Sequence, residues 1–354
     1  MHFVPGQREF PLYSQSLRGM TAPEPPPPLN VALITRCHVW AGTLVAAAAL
    51  AAACGGRAPA TPTQATALVG ADTPVAGAEL PGQPVPPVGA PPPAGGGVAT
   101  LSAVGDIGWC GSPGVAQTAA LLGRFTDDIL LLGDLAYPNG TASDFRRCFD
   151  PDYGRFRARA RPGPGNHEYD VAGGEGYFSY FGEAAGPARQ GYYAFRAASW
   201  QVLMLNSAVP IGRGSAQYHW VREQLAQRAR CTVATLHHPF DGSGNHGQAP
   251  WLRDIWELLY QGGAEVVLNG HDHNYERIAP QTADRQLDLA RGIRQFTVGT
   301  GGAPLYPQSG RAANSEVFIQ AWGVLRLSLE PTQYQWAFLD VTGAELDRGV
   351  AACH

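Results

Sequence analysis

Beyond residue 97 the chain breaks into short apolar runs separated by polar stretches rich in glycine and proline. Runs at 99–104, 128–132, 192–195, 201–205, 232–236, 265–268, 293–298, 324–329 and 334–339 have strand length and few polar positions. Such runs predict strands. Between several of them the apolar spacing becomes helical: 115–125, 216–230 with Ser215 as its cap, and 251–261 opening after Pro250. Alternation of strand and helix early, then strands toward the end, predicts an α/β domain of mixed sheets covered by helices. No internal repeat of solenoid type occurs.

The first quarter is built differently, since 17 of the 30 prolines precede residue 98. Residues 40–53 are a short apolar run after Arg36, closed by small residues and Cys54. At about 14 residues it is shorter than the roughly 20 a membrane span needs, and it suits the core of a signal peptide. Small residues before a cysteine resemble a bacterial lipoprotein signal, whose cleavage leaves the cysteine as a lipidated amino terminus. An ordinary cleaved signal or an uncleaved anchor is the alternative. Residues 55–97 are proline, alanine, glycine and threonine with almost no charge, which predicts a disordered tether. The organisation expected is a signal segment over 1–54, a tether over 55–97 and one catalytic domain over 98–354. The expected location is extracytoplasmic, either membrane-anchored through Cys54 or secreted and soluble. Oligomeric state is not legible.

Charge narrows the function classes. Only 15% of residues are charged and the net charge is −4, so no basic field is available to hold nucleic acid. All 25 basic residues are arginine. The absence of lysine excludes Schiff-base chemistry and a Walker-type phosphate lysine.

The informative polar residues stand at strand ends. Asp106 follows the first run, Asp134 the second, Asn166 and His167 a short stretch, His237 the run 232–236, and His271 and His273 the run 265–268. Sheets of α/β proteins build their sites there. These residue types suit a two-metal phosphoester hydrolase, in which ions about 3.5 to 4 Å apart need a bridging carboxylate such as Asp134. Asn166 offers a neutral amide oxygen. Two aspartates, a hydroxide and two divalent ions sum to about +1, attractive to phosphate, and a third carboxylate would cancel that charge. His271 and His273, two apart, can reach different metals from an extended turn.

Five ordered blocks carry a resemblance: Gly105-Asp106, Gly133-Asp134, Gly165-Asn166-His167-Glu168, His237 before Pro239, and Gly270-His271-Asp272-His273. Through them the chain resembles the calcineurin-like metallophosphoesterases over about residues 100–354. More narrowly it is similar to the purple acid phosphatases, because Tyr137 stands three after Asp134 and Asn274-Tyr275-Glu276-Arg277 extends the last block. The β-sandwich domain that precedes the catalytic domain in plant members has no counterpart among these residues. The resemblance implies a four-layer αββα sandwich of two mixed sheets flanked by helices. It implies one metal on Asp106, Asp134, Tyr137 and His273, and a second on Asp134, Asn166, His237 and His271. A phenol becomes a good ligand only on losing its proton, which favours Fe(III) at the first position, with zinc, manganese or iron as the divalent partner. A water with its pKa lowered by the metals would attack phosphorus. His167 resembles the acid that protonates the leaving alkoxide, and His246 a substrate-facing histidine of plant members.

Several readings stay open. His237 and His238 are adjacent and face opposite ways in a strand, so one binds metal and His237 is favoured. Tyr137 alternatively forms a rim over a purely divalent pair, and His246 a solvated loop position. Residues 169–191, rich in glycine and aromatics, read as core packing or as a pocket rim. Glu276 and Arg277 read as a charged pair holding the loop after His273. Cys110, Cys148, Cys231 and Cys353 are expected to pair in that order, the first pair near the metal centre and the second tying down the carboxyl terminus. The function expected is a phosphomonoesterase of acid phosphatase type acting on small phosphorylated substrates. A phosphodiesterase or nucleotidase on the same metals is the runner-up, and a catalytically silent surface module the third reading.

Overall fold

The computed structural model describes residues 97–354. The signal, the tether and Cys54 lie outside the described residues. Thirteen strands are present among those described: β1 Ala99–Val104, β2 Asp128–Leu132, β3 Ala160–Gly163, β4 Tyr193–Ala197, β5 Trp200–Met204, β6 Thr232–Thr235, β7 Val266–Asn269, β8 Tyr275–Gln281, β9 Ile293–Val298, β10 Ser315–Ile319, β11 Gly323–Leu329, β12 Gln333–Asp340 and β13 Glu345–Ala352. They form two mixed sheets, in the orders β13-β12-β11-β1-β2-β3 and β10-β8-β9-β7-β6-β5-β4.

The near-continuous apolar runs follow from burial on both faces. In β2, Leu130 and Leu132 point into the core between the sheets, while Ile129 and Leu131 face the outer layer. In β5 Val202 and Met204 face the sheet-sheet core, and Leu203 packs outward among Val221, Ile255, Trp256 and Leu259 of two helices. Period-two alternation thus divides each central strand between two apolar layers, which is why no polar face shows. The helix Pro113–Leu122 and the segment carrying Phe145, Tyr153, Tyr177 and Phe181 cover the first sheet. Helices Ala216–Ala226 and Arg253–Gln261 cover the second. The result is the four-layer αββα sandwich.

Ser112 caps the first helix by accepting the Gly114 N–H, and Ser215 caps the third-quarter helix by accepting the Tyr218 N–H. That second helix ends at Ala226 rather than at Arg230. Residues 250–252 form a 3₁₀ turn before Arg253–Gln261. Strands β3, β8, β10 and β13 carry no strand-like signal in the sequence. β13 is an edge strand whose alternating positions are Glu345, Asp347 and Gly349 against Leu346, Arg348 and Val350, with no apolar face to read.

The insertion 169–191 is core: Tyr177, Phe178 and Phe181 are buried against Phe145 and Phe149. Cys110 is bonded to Cys148 and Cys231 to Cys353. One expected pairing fails. Glu276 and Arg277 do not hold each other, because neighbours in β8 point to opposite faces. Glu276 accepts the Ser243 N–H at 2.8 Å and the Ser243 hydroxyl, whereas Arg277 binds Asp347 (Nε to Oδ2 2.8 Å) and Glu316.

Candidate metal centre

Strands β1, β2 and β3 run parallel in one sheet, as do β6 and β7 in the other. Their carboxyl ends meet at one end of the sandwich. The loops leaving them carry Asp106, Asp134, Asn166, His237, and His271 with His273.

Three of these residues turn the chain sharply. Asp106, Asp134 and His271 have φ of 58, 52 and 71°, in the left-handed region that non-glycine residues seldom occupy. The loops nest so closely that the residue before a donor has no room for a side chain. A Cβ on Gly133 would stand 2.5 Å from His237 Nδ1, and one on Gly270 would stand 2.6 Å from Asp106 Oδ2. Glycine in both blocks therefore reflects close approach of neighbouring loops.

Two donor groups share one carboxylate. Tyr137 Oη lies 3.1 Å from Asp106 Oδ1, 3.1 Å from His273 Nε2 and 3.3 Å from Asp134 Oδ2. On the other side, His237 Nε2 lies 3.2 Å from the same Asp134 Oδ2 and 3.1 Å from Asn166 Oδ1. His271 joins this second group, with donor atoms of Asp134, His237 and His271 all within 4.8 Å of one another.

Backbone contacts aim the rings. His237 Nδ1 bonds the Leu132 carbonyl and His273 Nδ1 the Pro304 carbonyl, both at 2.8 Å. Nδ1–H donation to a carbonyl fixes the tautomer and turns the Nε2 lone pair inward, the second contact that metal-binding histidines need. The free oxygens of the aspartates are also held. Asp106 Oδ2 accepts the His271 N–H at 2.8 Å, and Asp134 Oδ1 accepts the His167 N–H at 3.0 Å.

The residues fit metal ions. Asp106 and Asp134 are buried, and among the described residues their ion-pair partners are histidines, never arginine. Burial works against the charge of Asp134, yet His237 and His167 hold its carboxyl well below the usual range. Burial likewise opposes the charge of His237, but Asp134 and Asp106 outweigh it and push the imidazole up to about 9. Burial, then Asp106 and Asp134, raise the Tyr137 phenol well above 10. Burial with His237, His238 and His246 nearby pushes His271 down, keeping it neutral and ready to ligate. Protons here stand in for cations.

This ordering yields a pH prediction. A metal held by His237 would have to displace its proton, so uptake by the chelated protein at pH 7 should release protons, and affinity should rise with pH up to about 9. Without metal, the raised His237 stabilises fully below its ordinary 6.5 and loses that contribution as pH climbs to about 9. Asp134 has the opposite sign, its contribution being lost as pH falls below 3.8. Melting of the chelated protein should therefore fall from about pH 6.5 to 9 and rise again on adding metal. Flat melting across that interval, or titration heats independent of buffer, would contradict the assignment.

One residue without an assigned role in the sequence reading is central. Glu168 is fully buried and accepts four backbone N–H groups: Asp134 at 2.9, Leu135 at 2.8, Ala136 at 3.3 and Gly165 at 2.7 Å. It clamps the Asp134 loop to the Asn166 loop, and burial with the Asp134 charge pushes its carboxyl up to about 7. Asp272, also buried, accepts the His246 N–H at 3.0 Å and so holds that loop.

The remaining candidates lie at the rim. His167 is part-exposed, its Nδ1 bonding the Pro138 carbonyl and its Nε2 3.8 Å from Asp134 Oδ2. His246 is exposed, with its ring 4.0 Å from that of His271. His238 is held by Ser207, its Nδ1 2.8 Å from the hydroxyl, with its ring 4.4 Å from that of His271. Tyr306 stacks on His273 at 4.1 Å, and Trp109 lies 5.0 Å from the Tyr137 ring. A larger groove of ≈650 Å³, lined by Arg326, Trp336 and Arg348 among others, touches none of these loops.

Fold and site define a class, and comparison with known proteins agrees. Residues 100–275 match the family of calcineurin-like phosphoesterases, and the chain belongs to that family. The chain's relatives include purple acid phosphatases. It is 29% identical over 240 residues to purple acid phosphatase 15 of Arabidopsis thaliana, covering 57% of this chain and 44% of that protein. Purple acid phosphatase 1 of Ipomoea batatas is 28% identical over 218 residues, covering 53% and 44%. The chain thus spans less than half the length of these relatives. Among solved structures, the yellow lupin purple acid phosphatase PPD1 shares the fold with a TM-score of 0.62 at 18% identity, covering 74% of this chain and 55% of that one. GAP50, the anchor in the inner membrane complex of Plasmodium, shares it with a TM-score of 0.59 at 14% identity, covering 73% and 89%.

Proposed function

We propose that this chain is a metal-dependent phosphoester hydrolase, specifically a purple acid phosphatase-like phosphomonoesterase with a dinuclear centre. The observation that carries the reading is the position of Asp134 Oδ2, 3.3 Å from Tyr137 Oη and 3.2 Å from His237 Nε2, where one charged oxygen faces both donor groups. Asp106, Asp134, Tyr137 and His273 would hold Fe(III), and Asp134, Asn166, His237 and His271 a zinc, manganese or iron(II) ion. Bound metals supply Lewis acidity toward phosphoryl oxygens and lower the pKa of a water toward 7. The chain's own contribution is orientation and proton delivery. Asp134 and Glu168 fix the spacing of the two donor groups. His167, anchored through Nδ1, presents Nε2 to the ester and gives its proton to the leaving oxygen. His246, beside His271, orients the phosphate.

Hydrolysis of a panel of mono- and diesters by purified, metal-analysed protein tests the reading, and preference for diesters would select the phosphodiesterase alternative. A catalytically silent surface role gives no reason for the complete donor set. Colour separates the branches. Tyr137 as phenolate on Fe(III) should give a visible charge-transfer band that Tyr137→Phe abolishes. A colourless wild type with full divalent occupancy would rule out the iron assignment.

We further propose that the protein works outside the cytoplasm, tethered through lipid on Cys54. The two disulfides support an oxidising compartment. Among the described residues no helix is long and apolar enough to cross a membrane. Two acyl chains anchor stably where one is marginal, so wild-type protein should sediment with membranes and Cys54→Ser should not. Wild-type protein found wholly in the soluble fraction would remove the lipid anchor and leave the secreted form.

A further inference from the structure

The site continues on one side into a recess of ≈130 Å³ lined by His238, His246, Gln248, Trp251 and His271. Its rings form a connected arc: Trp251 lies 5.2 Å from His238, His238 4.4 Å from His271, and His271 4.0 Å from His246. Because His271 belongs to the second donor group, this arc starts at the metal centre and ends at Trp251.

Trp251 is the unusual member. It is 49% exposed, in a chain whose other large aromatics are mostly buried, and it opens the helical segment Pro250–Gln261 at the mouth of the recess. The recess is smaller than the roughly 300 Å³ usual for enclosing an organic ligand. It admits a phosphoryl group, and the organic part of an ester held there must lie outside, against the open face of Trp251.

The ionisable side chains lining the recess are the histidines His238, His246 and His271. Among the described residues no arginine lines it. Arg253, two residues beyond Trp251, is engaged by Asp284 at 2.6 Å, and Arg213 by Asp254 at 2.9 Å. A polyphosphorylated alcohol would find no arginine for its further charges, whereas a flat, uncharged ring finds an indole to stack on.

Resting on the reading of the site as a phosphoester hydrolase, we infer that Trp251 sets specificity for phosphomonoesters whose alcohol carries a planar aromatic or heteroaromatic group. Nucleotides and arylalkyl phosphates share this chemistry, so two matched pairs separate the sources. Adenosine 5′-monophosphate and ribose 5-phosphate have the same leaving alcohol and differ in the base. Naphthylmethyl phosphate and butyl phosphate differ in the ring without a sugar.

With metal-loaded full-length protein, kcat/KM should favour the ring-bearing member of at least one pair by about 10-fold, mainly through KM, as expected for one aromatic stacking contact. Trp251→Ala should bring that ratio to about 1 and Trp251→Phe should keep most of it. Trp109→Ala, on the Tyr137 flank, should leave the ratio as in wild type. Calorimetric affinities for the same pairs, measured on metal-loaded His167→Ala protein with and without Trp251→Ala, should show the same 10-fold difference and its loss. Equal kcat/KM within both pairs for wild type, or a ratio that survives Trp251→Ala, would overturn the inference and leave the hydrolase reading standing. Failure of loaded wild type to cleave any ester would overturn both.

Discussion

Replacing Asp134 by asparagine is expected to remove bound metal and turnover together, with the rate falling by about 10³ or more. The carboxylate has a separate task for each oxygen. Oδ1 accepts the His167 N–H at 3.0 Å, and Oδ2 faces the Tyr137 phenol and the His237 ring at once. An amide keeps the first contact and loses the charge that would let the second oxygen serve two cations. In one orientation it also points an N–H₂ donor at the ring nitrogen meant to ligate. The same change should be visible without metal. Asp134 heads the attractions that push His237 up to about 9, so the variant's imidazole should titrate lower. Chelated variant should then show less of the stability loss between pH 6.5 and 9 than chelated wild type. Metal content by emission spectrometry, turnover and melting profiles give three readouts. A folded Asp134→Asn protein with full metal and near-normal hydrolysis would sink the shared-carboxylate centre.

What could be read in the sequence followed from how burial writes itself into a chain. Residues such as Ile129 to Leu132 are apolar throughout because both faces of β2 are covered, and that pattern survives without knowing the partners. Edge strand β13 and the short β3, with Arg161 and Pro162 inside it, leave no such imprint. The candidate residues were legible because they stand just past strands, four of them directly after a glycine against which neighbouring loops pack closely. Glu168 was not, since a glutamate in a turn looks solvated until its four N–H donors, from loops 33 residues apart in sequence, are brought together. Trp251 and Tyr306 were invisible for the same reason, their significance lying in the rings they meet across the fold. The error over Glu276 and Arg277 has the converse origin. Sequence neighbours of opposite charge suggest a pair, and the strand pleat sends Glu276 to the Ser243 loop and Arg277 to Asp347 of β13.

The second large effect is expected from His167→Ala. The ring is held but not buried: Nδ1 is tied to the Pro138 carbonyl, Asp170 Oδ2 lies 3.3 Å from the same nitrogen, and Nε2 looks toward the shared carboxylate from 3.8 Å. That distance is beyond hydrogen bonding, so Nε2 is free for the ester. A positioned acid is worth about 10² to 10⁴ when the leaving group is a poor one, and little when it departs without a proton. Loss of His167 should therefore slow alkyl phosphates by that factor, barely change activated aryl phosphates, and leave metal content intact because the ring is in neither donor group. The dependence of rate on leaving-group pKa should steepen in the variant. The distinction from phosphate positioning is direct, since a residue that only orients the phosphoryl group touches every substrate in the same way. If His167→Ala slows alkyl and aryl esters equally at full metal occupancy, proton delivery must be assigned elsewhere, and His246, exposed beside His271, becomes the residue to test.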